Sequence, residues 1–301
     1  MKVLKKIQSI VVENTSLCGA KCIMCPRGKI KYYYGEMSMQ LYKKAIFEAV
    51  ELGVINFVFS GLGDPLMDTK FEERLIHLKE NYPCVKIGVT ATGHLLNSKN
   101  MDLICKYVNK FKISNYGFSK KTYERVHGGV LKYEDIFRNI DNYLNRSDRP
   151  YTTLSFLDLG INHDELEAWK LYYEPKTDQI DIWSPHNWAG LKGDAPQSTN
   201  IKPCHRALEL DNLVIRANGM VSLCCFSVNN ELILGNIESE LLSQIISSDK
   251  VAEIQDIHKN NRVLKSDLPC RTCDQIHDRS DALLYTNDKT MKVGKYSLFH
   301  E

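Results

Sequence analysis

The 301-residue chain has little of what would place it in a membrane, in a secretory pathway or on nucleic acid. No stretch approaches the roughly 20 apolar residues needed to span a bilayer. The N-terminus runs into polar Glu13 and Asn14 without a small-residue cleavage site, which predicts a first strand rather than a signal peptide. The 39 basic and 37 acidic residues nearly balance, which disfavours a nucleic-acid coat or a membrane-surface binder. We therefore expect a cytoplasmic globular protein without repeats or low-complexity segments.

Disulfides are also not expected, because nothing in the sequence indicates export. Eight of the ten cysteines fall into two groups, which are Cys18, Cys22 and Cys25, and then Cys204, Cys224, Cys225, Cys270 and Cys273. Clustered cysteines in such a context indicate metal ligands. The other two, Cys84 and Cys105, stand alone, and we predict that they are buried, unreactive thiols.

Short β-branched runs alternate with helical patterns over the first two-thirds of the chain. The predicted strands are residues 7–15, 55–61, 86–93, 110–117, 151–159 and 179–185. Such alternation predicts an α/β fold with a parallel sheet and helices outside. Six strand–helix units are two short of a closed barrel, so residues 1–192 are predicted to form a partial (β/α)6 TIM-like barrel. Loops that follow the strands would carry the chemistry.

The pattern changes after about residue 190, which predicts a small C-terminal α+β domain over residues 193–301. A linker rich in Gly, Pro and Ser covers residues 190–203. Alternating runs on both sides of Asn218-Gly219 predict a hairpin. Residues 241–260 are predicted to be helical, and residues 268–274 (LPCRTCD) to form a turn typical of a metal knuckle.

The first cysteine group has no local fourth ligand. The CGAKCIMC stretch places Cys18, Cys22 and Cys25 directly after the first predicted strand. A structural zinc site needs four protein ligands, and a cubane iron–sulfur cluster also usually takes four thiolates. Three thiolates therefore indicate a cluster with one iron open for chemistry, while a zinc knuckle that borrows a distant ligand is the alternative.

The CX3CX2C spacing after a first strand resembles the hallmark of the radical S-adenosylmethionine superfamily, and other matching segments cover most of the chain. The resemblance implies that Cys18, Cys22 and Cys25 hold a [4Fe–4S] cluster whose open iron binds S-adenosylmethionine. It further implies reductive cleavage of the sulfonium and a 5′-deoxyadenosyl radical that abstracts hydrogen from the substrate. The cofactor supplies the reactivity and the protein supplies orientation. A small-molecule substrate and a flavodoxin- or ferredoxin-type electron donor are also implied.

Three segments resemble the family's S-adenosylmethionine-binding stretches. SGLGDP (60–65) resembles the glycine-rich GxGEP stretch, with Asp64 in place of the commoner glutamate. TATGHLL (90–96) resembles the TNG stretch and offers Thr92, while ISNYG (113–117) ends the fourth predicted strand. The cofactor-binding residues that the resemblance implies are Gly61, Gly63, Asp64, Thr92, Ser114 and Asn115.

The second cysteine group resembles the twitch domain, a shortened relative of the SPASM domain. This resemblance implies one auxiliary [4Fe–4S] cluster for electron transfer, held by Cys204, Cys224, Cys270 and Cys273. Structural zinc is the alternative for such a set. Cys225 is spare, and it is either a hydrogen-atom donor to a substrate radical, as in relatives that invert a stereocentre, or a residue without a role.

The substrate is the least constrained part of the prediction. Only 17 residues precede Cys18, which disfavours an N-terminal peptide-recognition domain. The layout resembles the superfamily's aminocyclitol dehydrogenases, although SPHNWAG (184–190) carries Trp188 where they carry arginine. His186 and Trp188 are predicted to contact a sugar ring or to pack internally. The hypotheses are oxidation or epimerisation of a carbohydrate-like alcohol, modification of a peptide, or a zinc-stabilised binding protein.

Overall fold

The computed structural model describes residues 7–29, 35–193, 200–229, 231–277 and 282–289. The central part of the predicted linker, residues 194–199, lies outside the described residues. The chain divides into two compact units. The first unit comprises residues 1–16, 26–61 and 186–279, and the second unit comprises residues 17–25, 62–185 and 280–301. The domain boundary between residues 192 and 193 stays a prediction.

Strands and helices alternate through the first two-thirds of the chain, as the sequence pattern predicts. In chain order the described elements are β1 (Ser9–Val12), α1 (Met39–Glu51), β2 (Asn56–Phe59), α2 (Phe71–Asn81), β3 (Lys86–Ala91), α3 (Ser98–Tyr107), β4 (Lys110–Ser114), α4 (Lys120–His127), α5 (Tyr133–Leu144), β5 (Tyr151–Leu157), α6 (Leu166–Tyr173), β6 (Gln179–Trp183), α7 (His205–Glu209), β7 (Val214–Ile215), β8 (Met220–Ser222), β9 (Ile233–Asn236), α8 (Leu242–Ile246), α9 (Asp249–Lys259) and β10 (Leu283–Thr286). All six predicted strands of this region are present. None of the described helices is long and apolar enough to cross a bilayer.

The second unit contains a mostly parallel sheet. β3, β4, β5 and β6 lie side by side in this order and are parallel, and β10 pairs antiparallel with β6. Phe111, Leu154 and Ile180 are fully buried in this sheet. Apolar, β-branched strands of this kind are typical of parallel sheets that are covered on both faces.

The described residues of the first unit include five strands in the order β2-β1-β7-β8-β9. β1 is parallel to both β2 and β7, whereas β7, β8 and β9 form antiparallel pairs. The predicted hairpin at Asn218-Gly219 is confirmed, since Gly219 takes a left-handed φ of +81° between β7 and β8. Helix α1 begins after Ser38, whose hydroxyl accepts a hydrogen bond from the backbone N–H of Leu41 at 3.1 Å.

One sequence-based prediction is wrong, and two strands were not predicted. The predicted helical character of residues 241–260 is confirmed, and it is divided into two helices, α8 and α9, because Ser248 adopts an extended conformation and caps α9 through the N–H of Val251. Cys84 is exposed rather than buried, since it lies in the turn between α2 and β3, and Cys105 is half-buried. The two strands that were not predicted are β9 and β10.

Candidate functional site

The loop that carries the first cysteine group is fixed against the C-terminal end of α4. The backbone N–H of Lys21 donates to the carbonyl of His127 at 3.1 Å, and that of Ile23 donates to the carbonyl of Val126 at 3.0 Å. Within the loop, the N–H of Cys25 donates to the carbonyl of Cys22 at 3.0 Å. The structure therefore holds a defined turn around the last two thiols, and all three thiols are partly buried.

Gly128 allows this close approach of the loop to α4. It ends the helix in the left-handed conformation, with φ of +80°. A Cβ at this position would lie 2.3 Å from the carbonyl oxygen of Lys21. Only a glycine therefore fits between the helix end and the cysteine loop.

Cys22 is contacted by a histidine that the sequence analysis did not identify. The Nδ1 atom of His127 lies 3.2 Å from the Sγ atom of Cys22. His127 is 1% exposed, and burial lowers its pKa to about 3, so the ring is neutral at physiological pH. No local pattern marks this residue, because it lies 105 positions from Cys22 along the chain.

Asp64 and Thr92, two of the predicted cofactor-binding residues, are bonded to each other. Oδ2 of Asp64 accepts from the N–H of Thr92 at 3.0 Å and from its hydroxyl at 2.8 Å. Oδ1 of Asp64 caps the following turn by accepting from the N–H of Leu66 at 3.0 Å. The N–H of Asp64 donates to the carbonyl of Leu17 at 2.7 Å. These side chains therefore tie the glycine-rich stretch to the stretch after β3, and the backbone of Asp64 ties it to the cysteine loop.

The hydrogen bonds of Asp64 stabilise its charged form. Burial on its own would raise the pKa of this carboxyl, but the bonds from His94 and Thr92 hold the pKa below its ordinary value. Nδ1 of His94 lies 2.6 Å from the hydroxyl of Thr92 and 3.4 Å from Oδ2 of Asp64. The Nε2 atom of His94 also lies 2.9 Å from where a Cβ at Gly19 would sit, so His94 packs against the cysteine loop.

The remaining predicted cofactor-binding residues have different surroundings. Gly61 packs against Glu13, since a Cβ on Gly61 would lie 2.5 Å from Oε2 of that buried carboxylate. Gly63 and Ser114 are half-buried. Asn115 is buried, and its Oδ1 accepts from the Nε1–H of Trp169 at 3.3 Å. The Asn115 side chain therefore stabilises the end of β4, and a contact with S-adenosylmethionine stays a prediction for all six residues.

The four cysteines of the second group line one pocket in the first unit. These residues are Cys204, Cys224, Cys270 and Cys273. Burial and the charge of Cys224 raise the pKa of Cys273 to about 12, and burial and the neighbouring thiols also raise that of Cys270. The N–H of Cys273 donates to the carbonyl of Cys270 at 3.0 Å, which is the same turn that Cys22 and Cys25 form. Metal binding would displace the protons of these thiols.

An orphaned polar atom shows that this pocket fits an iron–sulfur cluster. His258 is fully buried and lines the pocket, and its Nδ1 accepts from the N–H of Cys204 at 3.3 Å. Its Nε2 therefore carries the ring proton, and this atom has no hydrogen-bond partner among the described residues. A sulfur atom of a cluster held by the four cysteines would accept that hydrogen bond.

Cys225 differs from its neighbour Cys224. It is exposed and is not among the residues that line the four-cysteine pocket. A hydrogen bond with Cys224 and the positive charge of Arg206 lower the pKa of Cys225 to about 7. The structure thus leaves this thiol outside the pocket that holds the other four.

His186 and Trp188 pack around Phe226. The ring of His186 lies 3.9 Å from that of Phe226 and 4.3 Å from that of Trp188, measured between centroids. Nδ1 of His186 accepts from the N–H of Trp188 at 3.3 Å. This bond engages one lone pair of the imidazole, and the prediction of a substrate contact for these two residues stays open.

Comparison with known proteins identifies the class of enzyme that this arrangement belongs to. The model of the radical SAM superfamily matches residues 12–171, more than half of the chain, and that of an iron–sulfur cluster-binding domain (SPASM) matches residues 204–274. The chain belongs to the radical SAM superfamily. Membership implies a [4Fe–4S] cluster and S-adenosylmethionine, and the second match implies an auxiliary cluster.

Individual relatives match most of the chain. S-adenosyl-L-methionine-dependent 2-deoxy-scyllo-inosamine dehydrogenase from Niallia circulans is 23% identical over 90% of this chain and 94% of its own length. The crystal structure of BtrN in complex with AdoMet and 2-DOIA covers 92% of this chain and 98% of its own, with a TM-score of 0.66 and 21% identity. Streptococcus suis SuiB bound to precursor peptide SuiA covers 89% of this chain and 70% of its own, with a TM-score of 0.67 and 13% identity. These likenesses confirm the α/β fold of a partial barrel.

Proposed function

We propose that the protein oxidises a secondary alcohol of a carbohydrate-like or aminocyclitol substrate by radical chemistry. The observation that carries the proposal is the pocket lined by four cysteines, which leaves a bound cluster no iron open to substrate. Such a cluster would accept an electron, and alcohol oxidation has one electron left to give up once a hydrogen atom has been abstracted from the carbinol carbon. The end-to-end match with a dehydrogenase supports the same reaction type. The predicted flavodoxin- or ferredoxin-type donor and cytoplasmic location belong to this proposal.

The chain's own residues have separable tasks in this reaction. Cys18, Cys22 and Cys25 would hold the first cluster, which together with S-adenosylmethionine supplies hydrogen-atom abstraction. The second cluster would be held by Cys204, Cys224, Cys270 and Cys273. Asp64 and Thr92 keep the glycine-rich stretch and the stretch after β3 in fixed register through their mutual hydrogen bonds. This fixed register would position the bound sulfonium.

Isotope transfer tests the proposal directly. The protein, reduced anaerobically, is incubated with S-adenosylmethionine and aminocyclitols that carry deuterium at single carbinol carbons. We expect deuterium in 5′-deoxyadenosine, a ketone in the product and one 5′-deoxyadenosine per ketone, because one hydrogen atom passes to the nucleoside, one proton to solvent and one electron to the auxiliary cluster. The Cys270→Ala variant is expected to lose ketone formation. Exchange without any ketone from every polyol tested would contradict alcohol oxidation.

Peptide modification is the second candidate. It is favoured by the likeness to structures that hold peptides, such as native anSMEcpe with bound AdoMet and Cp18Cys peptide, at a TM-score of 0.66. Epimerisation of an alcohol or a residue would instead need a hydrogen-atom donor, and exposed Cys225 is the candidate. Loss of turnover in Cys225→Ala with retained iron would support epimerisation, whereas unchanged turnover would eliminate it.

A further inference from the structure

The imidazole of His127 occupies a built site beside Cys22. Its ring stacks on two tyrosines, with centroids 4.2 Å from Tyr123 and 5.5 Å from Tyr116 and interplanar angles of 23° and 13°. The backbone of α4 is fixed to the cysteine loop by the bonds to Lys21 and Ile23. The orientation of the ring is therefore determined by its stacking on the tyrosines, and its position relative to Cys22 by the attachment of α4 to the cysteine loop.

The hydrogen bonds of the ring determine its tautomer. The backbone N–H of Tyr116 donates to Nε2 of His127 at 3.4 Å. A nitrogen that accepts a hydrogen bond carries no proton, so the proton of the neutral ring is on Nδ1. This is the nitrogen that lies 3.2 Å from Sγ of Cys22. The contact is therefore an N–H···S hydrogen bond in which His127 donates.

We propose that His127 is a positioning residue that raises the reduction potential of the first cluster by donating a hydrogen bond to the Cys22 sulfur. The inference rests on the proposed function, in which Cys22 is a cluster ligand. Reduction adds negative charge to the cluster and its thiolates, and a donor to a ligand sulfur stabilises the more negative state. The bond also orients the Cys22 thiolate, so that the cluster binds in one arrangement.

Two amide variants separate donation from packing. In His127→Asn the side-chain amide takes the place of Nδ1 and retains a donor to Cys22. In His127→Gln the amide oxygen takes the place of Nε2, so the acceptor for Tyr116 is kept and the donor to Cys22 is lost. The two side chains have the same functional group, which makes each the control of the other.

The readout is the midpoint potential of the first cluster in the holoenzyme, measured by a redox titration followed by electron paramagnetic resonance. The signal of this cluster is identified by its change when S-adenosylmethionine is added. In His127→Gln we expect the equilibrium constant for reduction of the first cluster to fall about tenfold, which lowers the midpoint potential by about 59 mV for a one-electron couple. In His127→Asn the midpoint potential should stay close to that of the wild type. Equal midpoint potentials in His127→Gln and His127→Asn would overturn the proposal. Iron loading of His127→Gln without iron loading of His127→Asn would also overturn it.

A second measurement applies if neither variant loads iron. Wild-type protein with 15N-labelled histidine is examined by pulsed resonance, where a nitrogen coupling that changes on addition of S-adenosylmethionine supports the bond. The absence of such a coupling overturns it. Failure of the proposed function is recognised separately, because wild-type protein would then form no 5′-deoxyadenosine.

Discussion

Gly128→Ala is predicted to detach the cysteine loop from α4. Two costs add at this position. An alanine at φ of +80° loses about 1–2 kcal/mol to left-handed backbone strain. Its Cβ would also lie 2.3 Å from the Lys21 carbonyl oxygen, so the loop must move and lose its backbone bonds to the helix end. With about 1 kcal/mol for each lost bond, we expect a destabilisation of about 3 kcal/mol or more.

The neighbouring glycine is a matched control. Gly129 is also left-handed, with φ of +67°, but a Cβ there would have no atom within 4 Å. Gly129→Ala should therefore show only the backbone cost. This cost is about 1 kcal/mol, because alanine also lowers the conformational entropy of the unfolded chain and so offsets part of the left-handed strain. Both variants are purified anaerobically and compared by thermal unfolding and iron content. We expect iron loss from the first cluster in Gly128→Ala alone, and equal behaviour of the two variants would refute the steric reasoning.

Three further predictions concern the two sites. Thr92→Val removes the hydroxyl donor to buried Asp64 and should lower the free energy of unfolding by about 2 kcal/mol in urea, while Thr92→Ser should retain most of it. Because the pKa of Asp64 is lowered in the folded state, ionised Asp64 stabilises the metal-free protein above about pH 4, and this contribution to the free energy of unfolding should be lost as the pH falls further. In Asp64→Asn the free energy of unfolding should depend less on pH in this acidic range. Cys270→Ala should remove the auxiliary cluster and about half of the iron, whereas iron content should not change in Cys84→Ala, which alters an exposed thiol far from either group in sequence.

The alternation of strands and helices could be predicted from sequence because buried parallel strands and amphipathic helices each leave a local pattern. The break between α8 and α9 could not, since apolar spacing continues across Ser248 and only the backbone conformation of that residue ends the pattern. β10 pairs with β6 although about a hundred residues separate them along the chain, and no local pattern indicates a pairing over that distance. Cys84 was mispredicted because a turn after Pro83 exposes it.

The cysteine spacing and the resemblance to the twitch domain indicated which thiols belong together, and the structure places four of them around one pocket. It could not show that Asp64 and Thr92 bond to each other, because that contact depends on how the ends of two separate strands meet. His127 and His258 have no sequence signal for the same reason. Their roles follow only from the structure, in which a backbone N–H donor fixes the tautomer of each ring. The donor is that of Tyr116 for His127 and that of Cys204 for His258.

The most direct test of the account is the formation of 5′-deoxyadenosine by the anaerobically purified protein with dithionite and S-adenosylmethionine. We expect a brown protein with two clusters that forms the nucleoside, and loss of this activity in Cys22→Ala with the auxiliary cluster retained. Nucleoside formation that persists in Cys22→Ala, or a fully iron-loaded wild type that forms none, would contradict the assignment of the first cysteine group.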